Sequence, residues 1–292
     1  MAEVKTNSFR AWILAARPKT LAGAAVPVMI GCGLAYSAGV FQIIPAVICF
    51  LFAFTMQIDA NFINDYFDFK KGNDREDRLG PERACAQGWI TLPVMKKGII
   101  ITSVIACFIG CCILFYADWI MIIVGLLCIL FAFLYTTWLG HLGLGDMLVL
   151  IFFGFVPVGG TFYVMAHTWT WDVTIASTAC GLVIDTLLMV NNYRDREQDR
   201  KSGKRTIVVR WGEKAGQMLY LVFGVAGIEI CLFLSGGLWT AVLPQIYLIF
   251  HFSTWKEMVH IRKGKTLNII LGKTARNILL FGILLTLGLI LR

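Results

Sequence analysis

Nine stretches of this chain, near residues 20–39, 41–63, 98–116, 118–135, 144–166, 172–192, 215–234, 236–253 and 274–291, stay apolar for long enough to cross a bilayer. A spanning helix needs roughly 20 mostly apolar residues to traverse the hydrocarbon layer. The other spanning architecture, a closed barrel, is built from short segments of alternating hydrophobicity, and these runs are long and continuous. Short breaks carrying turn residues separate several of them, as at Ser37-Ala38-Gly39 and Ser235-Gly236-Gly237. With 58% of its 292 residues hydrophobic and only 15% charged, the chain is too apolar for most of it to form the surface of a soluble domain. The expectation is one all-α, polytopic membrane domain with nine transmembrane helices.

Charge placement gives these spans a direction. Every lysine and arginine except Arg276, in the first turn of the ninth span, and Arg292 falls before the first span, or between spans two and three, six and seven, or eight and nine. With nine spans these connections share one side, and the opposite side carries essentially only Asp118 and Asp172. The positive-inside bias puts the amino terminus on the cytoplasmic side and the carboxyl terminus opposite, in what is read as a bacterial inner membrane. The net charge of +8 then serves orientation and phosphate handling, and the loops lack the aromatic interleaving that nucleic-acid binding calls for. Nothing in the sequence calls for an obligate protein partner. No cleavable leader is read; residues 1–19, with Trp12 among basic residues, are expected to lie along the interface as an amphipathic lead. Of the nine cysteines, eight sit inside predicted spans as small apolar fillers, and Cys85 faces a reducing loop. The four histidines lack metal-ligand spacing.

One acidic pattern occurs twice, each time where an apolar run gives way to polar sequence. The first copy is Asn64-Asp65-Tyr66-Phe67-Asp68, followed by Lys70, Lys71, Gly72 and Asp74; the second is Asn191-Asn192-Tyr193-Arg194-Asp195, followed by Asp199, Lys201, Gly203, Lys204 and Arg205. Asn64 and Asp68 are four apart, as are Asn191, Asp195 and Asp199, so each set shares a helix face. Four predicted spans lie between the copies, so both emerge on the same side, as in a duplicated four-helix unit with one extra span. Carboxylates at the mouth of a membrane cavity, with cations beside them, suit a magnesium–diphosphate complex, because Mg²⁺ prefers one or two carboxylates plus water and phosphate oxygens. The candidate ligands are Asn64, Asp68, Asp74, Asn191, Asp195 and Asp199, with Asn64, Asp68, Asp195 and Asp199 central to catalysis; Lys70, Lys71, Arg83, Arg194, Lys201 and Lys204 are candidates for the diphosphate. The first acidic loop is taken as 64–97 and the second as 193–214.

These motifs resemble those of the UbiA superfamily of intramembrane aromatic prenyltransferases. The resemblance runs along nearly the whole chain, through Arg17-Pro18-Lys19-Thr20, Ala86-Gln87-Gly88-Trp89-Ile90-Thr91, Tyr135-Thr136, Gly143-Leu144-Gly145-Asp146 and Val209-Arg210-Trp211-Gly212. Within the superfamily it is most similar to the branch that prenylates 1,4-dihydroxy-2-naphthoate on the way to menaquinone. That resemblance implies helices around a central cavity, a polyprenyl diphosphate donor, bound Mg²⁺, ionisation to an allylic cation, attack by the aromatic ring and loss of the carboxylate as CO₂. It also implies that Tyr66, Tyr135, Asp146 and Tyr193 serve the acceptor or the cation. Two departures stand out: the third acid many members carry is replaced by Gly72, leaving Asp74 or Asp77 to complete the first site, and Asp146 stands where Glu is frequent. Asp59 and Asp185, buried acids shortly before each motif, are read either as groups serving the acceptor or as hydrogen-bonding partners of neighbouring helices. An apolar stretch, Gly154 to Gly160, is read as tunnel wall or plain helix packing.

Three other readings stay open on sequence. Hydroxybenzoate or homogentisate would suit the same machinery as acceptor. A transporter of an anionic lipid or metabolite would also need cations and a repeat. A structural subunit would leave the paired acidic signatures without a cause.

Overall fold

The computed structural model describes residues 4–72, 78–235 and 237–292. The described residues are helical with short connections. In chain order the helices are α1 (Phe9–Ala16), α2 (Leu21–Ser37), α3 (Ile43–Lys70), α4 (Leu92–Ile113), α5 (Ile120–Leu142), α6 (Gly145–Ala166), α7 (Trp171–Lys201), α8 (Ile207–Trp211), α9 (Glu213–Phe233), α10 (238–261) and α11 (Leu267–Ile290). Seven of these are long and apolar enough to cross a membrane, and α1 with α2 makes an eighth as a bent pair. The ninth expected span is α10, which has three pieces, Leu238–Val242, Leu243–Gln245 and Ile246–Ile261. Pro244 stands at the break, where it withholds a backbone N–H from the helix ladder. The nine-span expectation therefore corresponds to α2–α7 and α9–α11 among the described residues.

The bundle is centred on α7. Two thirds of its apolar window is buried, against 6% for α5, which turns Ile122, Leu126 and Leu130 outward where lipid would lie. Around α7 the main core joins Val26 and Ile30 of α2, Val158 and Phe162 of α6, Ala176 and Val183 of α7, Ile228 of α9, and Phe281 and Leu285 of α11. Small residues let the helices approach, as membrane bundles require when lipid offers no hydrophobic advantage. At the α6–α7 crossing a Cβ on Gly154 would lie 2.5 Å from the Ser177 carbonyl oxygen, so only glycine fits. A second core forms where α1 lies across α3 and α4, with Ala11 and Ala15 against Ile63, Met95 and Ile99. At the far ends of the helices, Tyr163 donates to Asp118 at 3.0 Å, and Asp172 accepts from Ser235 and from Arg292. The sparse acids of that side thus cross-link the loops and tie down the chain's last residue.

Both acidic motifs are helical. α3 continues to Lys70 and α7 to Lys201, so residues 64–70 and 193–201 extend the spans as rigid turns and the loops expected from 64 and 193 begin later. Hydropathy falls where the helix leaves the apolar layer, but the backbone hydrogen bonding carries on, and the motif side chains stand on fixed helix faces.

Candidate active site

An apolar cavity of about 370 Å³ opens between α2, α3, α4, α5, α6 and α7. Phe52, Met56, Phe131, Phe152 and Leu187 line its body, while Asn64, Tyr135 and Asn191 line its polar end. The first residue of each acidic motif therefore faces the same volume, while Asp68, Asp195 and Asp199 are not among its lining residues. The stretch from Gly154 to Gly160 does both jobs: Val156, Pro157 and Gly160 line the cavity, and Gly154 and Gly159 are buried in packing.

The first motif is held by the loop that follows it. Arg83, nearly buried, donates Nη1 to the Asn64 carbonyl oxygen at 2.7 Å and to Asp68 Oδ2 at 2.5 Å. Asp65 is fully buried and accepts the backbone N–H groups of Ala84 and Cys85 at 2.9 and 3.0 Å, with Arg17 at 3.9 Å. Asp65 thus fixes the loop carrying Arg83, and Arg83 reaches back to Asp68. The Asn64 amide oxygen accepts from the Thr136 hydroxyl at 2.5 Å. Thr136 sits in a widened, π-type turn of α5, Tyr135–Leu139, and Lys71 donates to the carbonyls of Thr136 and Thr137 at 3.3 and 2.8 Å.

The second motif is organised in the same way. Arg194 pairs with Asp195 through two bonds of 2.8 and 2.6 Å, and its remaining arm donates to Asn268 at 2.8 Å. Asn268 in turn donates to the Leu79 carbonyl at 2.8 Å, joining the start of α11, the first loop and α7. Lys204 stands 3.5 Å from Asp199, which is nearly buried. Lys201 is exposed at the end of α7, and Lys70 lies 6.0 Å from the centre of the Tyr66 ring. Asp74 and Asp77 lie outside the described residues.

The tyrosines divide. Tyr135 lines the cavity. Tyr193 does not reach it: the ring is fully buried beneath the Arg196 guanidinium, 4.5 Å from its centre, and the hydroxyl donates to Glu213 at 3.1 Å. Tyr66 packs with Phe67 against the second core, away from the cavity lining. The buried acids divide as well. Asp59 is satisfied by the Thr102 and Ser103 hydroxyls of α4, a clasp between helices. Asp185 and Asp146 each keep a buried Oδ1 with no hydrogen-bond partner.

The donors at the mouth suit a magnesium ion. They are amide and carboxylate oxygens, and among the described residues no three of His, Cys, Asp or Glu gather into a cage. Magnesium takes oxygen ligands of these kinds and completes its shell with phosphate and water.

The profile of the UbiA prenyltransferase family matches residues 24–268. The chain belongs to the UbiA prenyltransferase family. It is 40% identical over 222 residues to the 1,4-dihydroxy-2-naphthoate octaprenyltransferase of Escherichia coli (strain K12), covering 73% of this chain and 72% of that one. To the enzyme of the same name from Mycobacterium tuberculosis it is 32% identical over 240 residues, 80% of this chain and 82% of the other. Among solved structures, a UbiA homolog from Archaeoglobus fulgidus bound to DMAPP and Mg²⁺ superposes with a TM-score of 0.69 at 12% identity, over 96% of this chain and 98% of that one. The apo UbiA homolog from Aeropyrum pernix K1 gives 0.70 at 14% identity, over 92% and 97%. This UbiA-family enzyme is therefore an integral membrane prenyltransferase, and the transporter and structural-subunit readings fall away. Sequence reasoning did not single out Asp65 for its own role, nor Thr136 and Asn268. Asp65 was hidden because its aspartate neighbours carry the motif, and Thr136 and Asn268 because their contacts join segments far apart in sequence.

Proposed function

We propose that the enzyme transfers a polyprenyl group from its diphosphate to 1,4-dihydroxy-2-naphthoate, with loss of CO₂ and release of diphosphate, giving the prenylated 1,4-diol demethylmenaquinol, the reduced form of demethylmenaquinone. The observation that carries this reading is the convergence of Asn64 and Asn191, one from each acidic motif, on the polar end of one apolar cavity, in a chain whose naphthoate-prenylating relatives match it over more than two thirds of its length. The prenyl tail lies along Phe52, Met56 and Phe131, and the diphosphate sits at the mouth. Asn64, Asp68, Asn191, Asp195 and Asp199 would hold Mg²⁺, with Asp74 or Asp77, both outside the described residues, as the candidate further ligand. When bound, Mg²⁺ neutralises the diphosphate and makes it a better leaving group.

The chain's own residues do the rest. Arg83, Arg194 and Lys204, which now pair with Asp68, Asp195 and Asp199, have donors to turn toward the diphosphate when it enters. Lys71, the residue that caps α3, and Lys70 and Lys201 complete the basic rim. The Tyr135 ring faces the cavity and offers its π-face to the allylic cation. The apolar lining keeps out the water that would otherwise quench that cation. The mouth, the amino terminus and the basic loops face the cytoplasm of a bacterial inner membrane.

The test is a competition assay with the detergent-solubilised enzyme, Mg²⁺, a polyprenyl diphosphate and equimolar 1,4-dihydroxy-2-naphthoate, 4-hydroxybenzoate and homogentisate, read by mass spectrometry. The proposal expects the prenylated naphthol as the dominant product and none without Mg²⁺. Preferential prenylation of either other ring would replace the acceptor and keep the prenyltransferase.

A further inference from the structure

Beside the main cavity, on the other side of Tyr135 and Leu188, lies a second cavity of about 20 Å³. Tyr135 and Leu188 line both, so they form the partition. The remaining walls of the small cavity include Gly145, Asp146, Asn192 and Thr206. Asp185 precedes Leu188 by one turn and Asn192 by two, so it shares the face of α7 that lines this space. It is 3% exposed. Asp146 and Asp185 are within electrostatic reach of each other and of Tyr135. A Cβ built on Gly145 would lie 3.9 Å from the Tyr135 hydroxyl, which places that hydroxyl at the start of α6, next to Asp146.

Among the described residues, the buried side-chain oxygens without a partner include three hydroxyls, of Ser37, Ser177 and Thr286, and two carboxylate oxygens, Asp146 Oδ1 and Asp185 Oδ1, and the carboxylates are the costly ones. A buried polar atom without a partner is costly, and native proteins leave few of them. Asp59, the corresponding acid before the first motif, has the Thr102 and Ser103 hydroxyls as donors. Asp146 Oδ1 and Asp185 Oδ1 have none; Asp146 lines a space large enough for one water, and Asp185 lies one helical turn before Leu188, which lines it too. A donor from outside the chain would complete them. In the reading proposed above, what enters from the main cavity is an aromatic ring carrying hydroxyl groups.

We propose that Asp146 and Asp185, with the Tyr135 hydroxyl and one water in the small cavity, form the subsite that receives a ring hydroxyl of the aromatic acceptor. This rests on the prenyltransferase reading and assigns the acceptor's polar end to the α5–α6–α7 side of the mouth, apart from the diphosphate ligands. Asp185 is a positioning residue: it acts through the water and through Asp146. A site built to accept a substrate hydroxyl rejects an analogue lacking it far more strongly than an apolar pocket rejects an added one. The subsite is therefore a determinant of acceptor specificity.

Steady-state kinetics on Asp185→Asn, Asp146→Asn and the parent enzyme test this, varying acceptor and donor separately. The expected result is an acceptor KM raised by about tenfold or more in either variant, with the polyprenyl diphosphate KM unchanged. The second measurement compares 1,4-dihydroxy-2-naphthoate with its 4-methyl ether and 1-methyl ether. The parent enzyme is expected to discriminate strongly against one ether, and Asp185→Asn to lose most of that discrimination. The proposal is overturned if both KM values move together, if discrimination survives in the variants, or if the parent enzyme accepts both ethers as well as the diol. Should the variants not fold, the ether comparison on the parent enzyme alone decides. If the parent enzyme prenylates hydroxybenzoate and not the naphthoate, the acceptor reading fails while the same comparison with 4-methoxybenzoate still decides the subsite; if no aromatic is prenylated, both fall.

Discussion

Asp65 and Asp68 are three positions apart on α3 and do different work. Asp65 is sealed from solvent with two backbone N–H donors and Arg17 around it, whereas Asp68 meets Arg83 at the mouth. Asp65→Asn leaves one loop N–H facing an amide NH₂, and the loss is expected at about 2–3 kcal/mol, seen as a lower melting temperature in detergent together with lower activity. Asp68→Asn and Asp195→Asn, whose amide oxygens still accept from Arg83 and Arg194, are expected to lower the melting temperature less than Asp65→Asn does and to lower kcat/KM by about a hundredfold. A melting temperature that falls as far for Asp68→Asn as for Asp65→Asn would refute this division. The sequence made Asn64, Asp68, Asn191, Asp195 and Asp199 legible because helical spacing and repetition are local patterns. It did not separate Tyr135 from Tyr66 and Tyr193, because which way a tyrosine at a helix end points depends on neighbours distant in the chain.

Helix ends and helix crossings set where those residues stand. The Asp59 clasp joins α3 to α4 away from the chemistry, so Asp59→Ala is expected to cost about 1–3 kcal/mol of stability and leave both substrate KM values unchanged. At the α6–α7 crossing, Gly154→Val pushes α6 from α7 toward the cavity; stability is expected to fall by about 1–3 kcal/mol, with a raised KM for long-chain donors. A Gly154→Val enzyme with parental thermal stability would contradict the close-packing account. Span positions were readable from hydropathy alone. The π-type turns in α5 and α6, the break at Pro244 and the extension of α3 and α7 past the apolar layer were not, since each depends on hydrogen bonding that hydropathy does not register.

At the scale of the whole molecule, the bundle sorts its charges between two ends. The mouth collects the paired carboxylates and the cations, and the far end carries the small clasps of Asp118 and Asp172. The positive-inside bias predicts that a protease site inserted between Ser202 and Gly203 is cut in inside-out vesicles and protected in right-side-out ones, and that a site inserted after Thr168 behaves oppositely. Cleavage of the 202–203 site in right-side-out vesicles would reverse the orientation. The most direct test of the central claim uses 1,4-dihydroxy-2-naphthoate labelled with ¹³C in its carboxyl group, the purified enzyme, Mg²⁺ and a polyprenyl diphosphate. The account predicts one labelled CO₂ released for each unlabelled prenylated ring formed, with neither appearing when Mg²⁺ is chelated; a prenylated product that retains the label, or release of label without prenylation, would contradict it.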